Sequence, residues 1–371
     1  MARLLLISLG KLTGAVLEAA ARDPRFDSIV VAGRSADYGQ AKVNQARIGA
    51  GLEGRFPQIR FERFDFNETG AGAILKRLSP DVAFAAPSLL PWWKVGASKH
   101  PKAAEMPFAG WLAGHLAPML KLAMVWTESG LTTPWVAAAY PDVVNYVLSC
   151  RGPAPTVGCG NIVEAVPKIR FAVAEATGAP PGEVEVKLVG EHALEYRLYA
   201  GRGAKPELPP YLLQASWRGR DVTEEGRAGL TRPMPIPYDL DFNLLTASAA
   251  VGLLAALAGA GDLATHAPAP NGLLGGYPIR AGRGKVEVDL PKGWSLDQAI
   301  ETNRRALPWD GIAEIEADGT VRYTDHTAAA LRQLLGRPVD RLKPEEAPTH
   351  AAEASFCPAP TVHFEPGARW G

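Results

Sequence analysis

Arg3-Leu-Leu-Leu-Ile-Ser8, running on into Leu9-Gly10-Lys11-Leu12-Thr13-Gly14, decides the fold. The apolar run is short, has no alternating polar face and ends at a glycine turn, which predicts a fully buried parallel strand. Leu12, Val16, Leu17 and Ala20 then recur at helical spacing across Leu12 to Ala21. A second apolar run, Phe26 to Ala32, ends in Gly33-Arg34-Ser35. Strand, glycine turn, helix and strand within about thirty residues make the first βαβ unit of a doubly wound sheet. The turn departs from the usual G-x-G-x-x-G: Ser8 replaces the first glycine and the spacing is stretched by one. Gly10 still permits a pyrophosphate to approach the backbone, and Gly14 permits close packing of helix on strand. Ser8, Gly10, Lys11, Leu12 and Thr13 are therefore expected to face a dinucleotide.

The end of the second strand bears on which dinucleotide. NAD-binding units carry an acidic residue there to accept from the ribose 2′-hydroxyl. This chain has Arg34 and Ser35 instead. A guanidinium and a hydroxyl suit a 2′-phosphate, so NADP is expected, with NAD as the alternative. Ile59–Asp65 alternates like a strand, 72–78 is helical, and Asp81–Ala86 is a further buried strand. Ala86, Pro87 and Ser88 follow it, where such folds pass the nicotinamide ribose. The loop from Leu89 to Phe108 is long and carries Trp92, Trp93, Lys94, Lys99 and His100. Loops of that length at that place are commonly lids, and the two tryptophans are expected to wall the substrate. A helix over 110–127 places His115 on its core face, and Trp135–Ala139 is the next strand.

The bulk properties fit that reading. With 371 residues the chain is long enough for two domains, and 39 basic residues balance 39 acidic ones. No global charge favours nucleic acid or an anionic membrane as partner. Cys150, Cys159 and Cys357 are too few and scattered for a disulfide framework, so a reducing, cytoplasmic setting is expected. The N-terminal apolar run is too short for a signal peptide, and Leu244–Ala260 reads as a buried core helix.

The second half brings polar groups together. Gly158-Cys159-Gly160-Asn161-Ile162-Val163-Glu164 is a turn that opens a helix over 162–177. Val184–Val189 is a strand leading into Gly190-Glu191-His192, and Ala193–Tyr199 is expected as its hairpin partner. A histidine and a carboxylate on neighbouring elements suit general acid/base work, because the carboxylate fixes the ring tautomer. Strands around Arg218-Gly219, a helix from Asp221, a long helix over 239–258 and a strand over 285–290 follow. Ser295 caps another helix, 310–323 reads as a hairpin around Asp318-Gly319, and His326–Leu335 is a last helix. Beyond Gly336 the chain is rich in proline and charge and is expected to be an arm, lying over a neighbour or partly loose.

In order, Pro141-Asp142-Val-Val-Asn145, Gly158-Cys-Gly-Asn161, Gly190-Glu191-His192 and Thr246-Ala-Ser-Ala-Ala-Val-Gly252 resemble segments of the lactate and malate dehydrogenases. The resemblance spans residues 3–325 and extends, more loosely, to the NAD-dependent family-4 glycosidases. It implies that His192 exchanges a proton with substrate as hydride moves, and that Glu164 is the carboxylate orienting it. It implies that Lys168 or Arg170 binds a substrate carboxylate, and that Asn161 and Thr246 line the pocket. The lid arginine of that family has no counterpart here, and Tyr140 stands where an asparagine is expected. The substrate is thus open between a 2-hydroxy acid and an amine, imine or bulkier keto compound.

These observations predict an α/β protein with an N-terminal Rossmann-type doubly wound sheet over 1–150. An α+β substrate and assembly domain over 151–336 and an arm over 337–371 complete it. The expected function is NADP(H)-dependent hydride transfer to or from a C=O or C=N carbon of a small substrate, in a homodimer or homotetramer. No resident metal is expected. The alternatives are an NAD- and metal-dependent glycosidase-like hydrolase, and a nucleotide-binding regulator without catalysis.

Overall fold

The structure is a computed structural model that describes residues 2–91, 106–199, 207–237 and 239–355. Strand β1 (Ala2–Ile7) lies at its centre, with Leu4, Leu5, Leu6 and Ile7 all 0% exposed. It pairs in parallel with β2 (Phe26–Gly33) on one side and β4 (Val82–Ala85) on the other. With β3 (Gln58–Arg63), β5 (Trp135–Ala137) and β6 (Val157–Gly158) the sheet runs β3-β2-β1-β4-β5-β6, parallel throughout. This is the doubly wound order, in which ligands sit at the carboxyl ends of the strands where the winding reverses between β1 and β4. The sixth strand lies beyond the expected boundary at residue 150, so the sheet draws in the Gly158 turn as well.

Because side chains alternate across a strand, β1 feeds two cores. Leu4 and Leu6 pack with α1 (Lys11–Arg22), α2 (Ala36–Leu52) and α9 (Asn243–Leu257). Leu5 and Ile7 pack with α3 (Ala71–Leu78), α4 (Leu112–Ser129) and α5 (Pro141–Ser149). Fully burying one leucine contributes about 1.5–3 kcal/mol, and truncating Leu5 to alanine would cost about 2–5 kcal/mol. Phe108–Ser129 and Leu240–Leu257 are long and apolar enough to cross a membrane by length and composition, and both are largely buried within the protein.

A third core gathers α6 (Ile162–Thr177), α8 (Thr223–Thr231) and the antiparallel sheet β7 (Glu185–Val189), β8 (Leu212–Trp217) and β9 (Arg220–Asp221). A second antiparallel sheet holds β10 (Leu263–Pro268), β11 (Gly276–Gly282) and β12 (Lys285–Val288). Helix α10 (Leu296–Asp310), capped by Ser295 as expected, leads into the hairpin of β13 (Ile312–Ile315) and β14 (Val321–Tyr323), and α11 (Asp325–Leu335) follows.

Two expectations are corrected. Residues 193–199 do not form a strand; with His192 they form helix α7 (His192–Tyr199). Leu194 and Leu198, four apart, are buried while Tyr196 and Arg197 face outward, a helical rather than an alternating pattern. The segment after Gly336 does not read as a loose arm over its described length. Strand β15 (Arg341–Leu342) pairs with β14, and Ala347 and Ala351 of α12 (Ala347–Ser355) join the core built on α4.

Candidate active site

The turn after β1 is built to receive something. Ser8 holds a left-handed φ of 67°, and its N–H donates to Ala32 O at 3.0 Å. Gly10 caps α1 with no side-chain hydrogen bond to the helix. The first N–H groups of that helix are therefore left without a side-chain acceptor, as at an anion site. A Cβ built on Gly10 would meet nothing within 4 Å, so the space beside the turn is open. Thr13 Oγ1 beside it, and Ser88 Oγ beyond β4, are buried with no hydrogen-bond partner among the described residues. Open backbone and stranded hydroxyls on either side of the winding reversal fit a dinucleotide. Lys11 and Arg34 are exposed, Leu12 is half-buried, and Ala86, Pro87 and Ser88 follow β4 at the same edge. Ser35 is partly committed, because its hydroxyl accepts from Tyr38 N–H as the N-cap of α2.

The carboxyl ends of the next two strands deliver the polar centre. After β5 the chain turns through Tyr140, whose φ of 50° aims it into α5 behind Pro141. After β6 it turns through Asn161, φ 55°, into α6. His192 arrives from the opposite side at the start of α7. Gly190 just before it bridges Gly276 of β11, with Gly276 N–H donating to Gly190 O at 2.9 Å. Glycine suits this approach at Gly276, where a Cβ would lie 2.6 Å from Ile162 Cγ2 and 2.8 Å from the backbone oxygen of Gly190.

His192 Nδ1 lies 2.6 Å from Asp310 Oδ2 at the end of α10. Tyr140 donates its hydroxyl to the same oxygen at 2.8 Å. The Phe108 ring covers the imidazole, with centroids 4.3 Å apart, and Tyr140 meets it edge-on at 4.9 Å. Phe108 is the last residue of the expected lid, so the described end of that loop rests on the histidine. Asp142, Glu191, Glu195 and Asp310 are buried around the ring. Burial works against an imidazolium here. The charge and hydrogen bond of Asp310, with Glu191 and Glu195, outweigh it and raise His192 to about 10. Burial raises Asp142 to about 6 and Glu164 to about 7, and it raises Glu191 and Glu195 too, helped by neighbouring carboxylates. His115 stacks on Phe108 in the core, and burial lowers it to about 4.

The other sequence-derived candidates divide. The expected His192–Glu164 hydrogen bond is replaced: Glu164 accepts from Thr246 Oγ1 at 2.6 Å, and the histidine's partner is Asp310. Asn161 donates its amide to Asp142. Thr246 and Asn161 therefore stand at the site, each on a carboxylate. Lys168 does not offer a free charge to a substrate carboxylate, since its ammonium donates to Leu230 O at 2.9 Å. Arg170 lies close enough to His266 for its charge to help lower that imidazole, and its Nε is buried without a hydrogen-bond partner among the described residues. Trp92 and Trp93, with Lys94, Lys99, His100 and Cys357, lie outside the described residues. Cys159 is buried at the end of β6, and burial pushes its thiol up, which disfavours a thiolate ligand or nucleophile. Asp310, Tyr140, Asp142, Glu195 and Phe108 were not anticipated at the site. Only Tyr140 and Asp142 carried a signal, being part of the Tyr-Pro-Asp turn after a buried strand.

No family model matches the sequence, and no curated protein does. Solved structures do. A lactate dehydrogenase, MGS-M5, from a Medee basin deep-sea metagenome library superposes with a TM-score of 0.56 at 11% identity, over 83% of this chain and 96% of that one. The lactate dehydrogenase of Cryptosporidium parvum, complexed with lactic acid and nicotinamide adenine dinucleotide, gives 0.54 at 16% identity, over 83% and 98%. The malate dehydrogenase of Archaeoglobus fulgidus, in complex with NADH, gives 0.55 at 14% identity, over 83% and 97%. The chain thus shares the fold of these lactate and malate dehydrogenases, with a Rossmann-type sheet. The likeness at such identities concerns the fold.

Proposed function

We propose that the protein is a nicotinamide-dependent oxidoreductase that moves hydride to or from a C=O or C=N carbon of a small substrate. The observation that carries this reading is the His192–Asp310 pair, 2.6 Å apart and buried. It is reached by the turns after β5 and β6 of a sheet whose first turn fits a dinucleotide. The solved relatives that hold lactic acid with nicotinamide adenine dinucleotide, or NADH, support the same reading. Bound nicotinamide supplies or accepts the hydride.

The rest of the chemistry falls to side chains of this chain. Asp310 takes Nδ1, which fixes the ring and leaves Nε2 as the atom that exchanges a proton with substrate. With its affinity for protons raised, His192 is charged at neutral pH, so it acts as the acid when a C=O or C=N group is reduced. Tyr140 shares the Asp310 oxygen and holds that carboxylate in place. Phe108 keeps water from one face of the ring. Glu164, placed on Thr246, positions the turn at Gly160 rather than the histidine.

NADP(H) is the preferred cofactor on this reading. Arg34 is exposed at the end of β2, and Arg34 and Ser35 rather than a carboxylate directly follow Gly33. Calorimetric titration with NADPH and NADH tests both levels. NADPH should bind at least as tightly as NADH, and Arg34→Ala should weaken NADPH about tenfold, the loss of one charge-assisted contact, while sparing NADH. Failure of both nucleotides to bind would remove the oxidoreductase reading.

A further inference from the structure

Among the described residues the polar centre is lined by acids, a poor match for a carboxylate substrate such as the lactic acid of one solved relative. Asp142, Glu164, Glu191, Glu195 and Asp310 are all buried with His192, which is the sole cation the geometry places among them within the described residues. Lys168 is spent on a backbone carbonyl, and the charge of Arg170 acts on His266. Among the described residues a substrate carboxylate would meet this cluster of acids, with His192 as the one cation beside it. Three of the acids also keep an uncommitted oxygen: Asp142 Oδ1, Glu191 Oε1 and Glu195 Oε1 are buried without a hydrogen-bond partner among the described residues. Such groups are costly unless something completes them.

We propose that the substrate presents an organic cation to this centre, a protonated amine or an iminium nitrogen held by Glu191, Glu195 and Asp142 against the rings of Phe108 and Tyr140. The inference rests on the oxidoreductase reading and narrows its substrate to the C–N class. An ammonium brings several N–H donors to acceptors that lack them. The rings of Phe108 and Tyr140, 4.3 and 4.9 Å from the imidazole, form an aromatic wall suited to a cation bearing apolar substituents. A divalent metal is the competing occupant, because ligand atoms of Glu191, His192 and Asp310 lie within 4.8 Å of one another. A metal on that triad would displace the His192–Asp310 hydrogen bond, whereas an amine needs only the oxygens that are free.

Matched probes test the assignment on the full chain: benzylamine against benzoate, and cyclohexylamine against cyclohexanecarboxylate, with and without NADP⁺, followed by calorimetry. Each amine should bind at least about tenfold more tightly than its carboxylate, and the isosteric changes Glu191→Gln and Glu195→Gln should each weaken amines by about tenfold or more, with NADPH affinity unchanged. The wild-type comparison alone decides the sign of the site if a variant fails to fold. Carboxylates binding as tightly as amines, amine affinity indifferent to both variants, or Mn²⁺ binding with no amine binding would each overturn the proposal. NADPH binding without amine binding would sink the cation site and leave the oxidoreductase reading standing. Amine binding without either nucleotide would uphold the site and sink that reading.

Discussion

His192 Nδ1 and Asp310 Oδ2 stand 2.6 Å apart although 118 residues separate them in sequence. The pair joins the end of β7 to the end of α10, so this buried pair is assembled from elements that meet only in the folded chain. Ring-nitrogen NMR through a pH titration should place His192 near 10. In Asp310→Asn the charge and most of the hydrogen-bond stabilisation vanish while burial remains, so the midpoint should fall by 2 units or more, on the order of 3 kcal/mol. A midpoint unmoved by that substitution would show that another group holds the imidazolium.

Stability should decline as pH rises across the neutral range. His192 is raised in the folded state, so its contribution is complete below about 6.5, the unfolded value, and is lost as pH climbs through about 10. Asp142 and Glu164 are also raised, to about 6 and about 7, and their ionisation in the folded protein costs stability over the same direction of change. Melting temperature without ligand should therefore fall by about 5 °C or more between pH 5.5 and pH 9. Glu195→Gln, which removes one buried acid, should flatten that fall. A melting temperature constant or rising over this interval would contradict the buried cluster.

Gly10 separates binding from folding. Its φ of −100° suits any residue, and a Cβ there would meet no atom of the described residues within 4 Å. Gly10→Val should therefore fold with a melting temperature within a few degrees of wild type, yet lose about a hundredfold in nucleotide affinity as the side chain fills the approach to the turn. Undiminished NADPH binding by this variant would place the nucleotide elsewhere.

The sheet was legible because its evidence is local. A run such as Leu4 to Ile7, buried on both faces, and the glycine turn behind it give strand, turn and helix directly. His192 was legible as well, from its place after a strand in a Gly-Glu-His segment. Its partner was not. Asp310 reads in sequence as the start of a hairpin, since Gly311 and the strand after it follow at once, and nothing local reports that α10 ends against α7. Glu164 looked closer because it follows the Asn161 turn, but a short hydrogen bond to Thr246 holds it across the site. Residues 193–199 misled for a related reason: Leu194, Tyr196, Leu198 alternate well enough for a strand, and tertiary burial of the 194/198 face decides for the helix. The segment beyond Gly336 is polar overall, and only the Ala347/Ala351 spacing hints that it packs.

The most direct test of the proposed chemistry is single-turnover oxidation of NADPH by the wild-type protein and His192→Asn, with a panel of aldehydes, keto acids and preformed imines. Wild type should oxidise NADPH with at least one member of the panel, and His192→Asn should slow that reaction by about 10²–10⁴, the range of a general acid, with NADPH affinity retained. A variant that binds NADPH and reacts within about tenfold of wild type would show that His192 is not the acid.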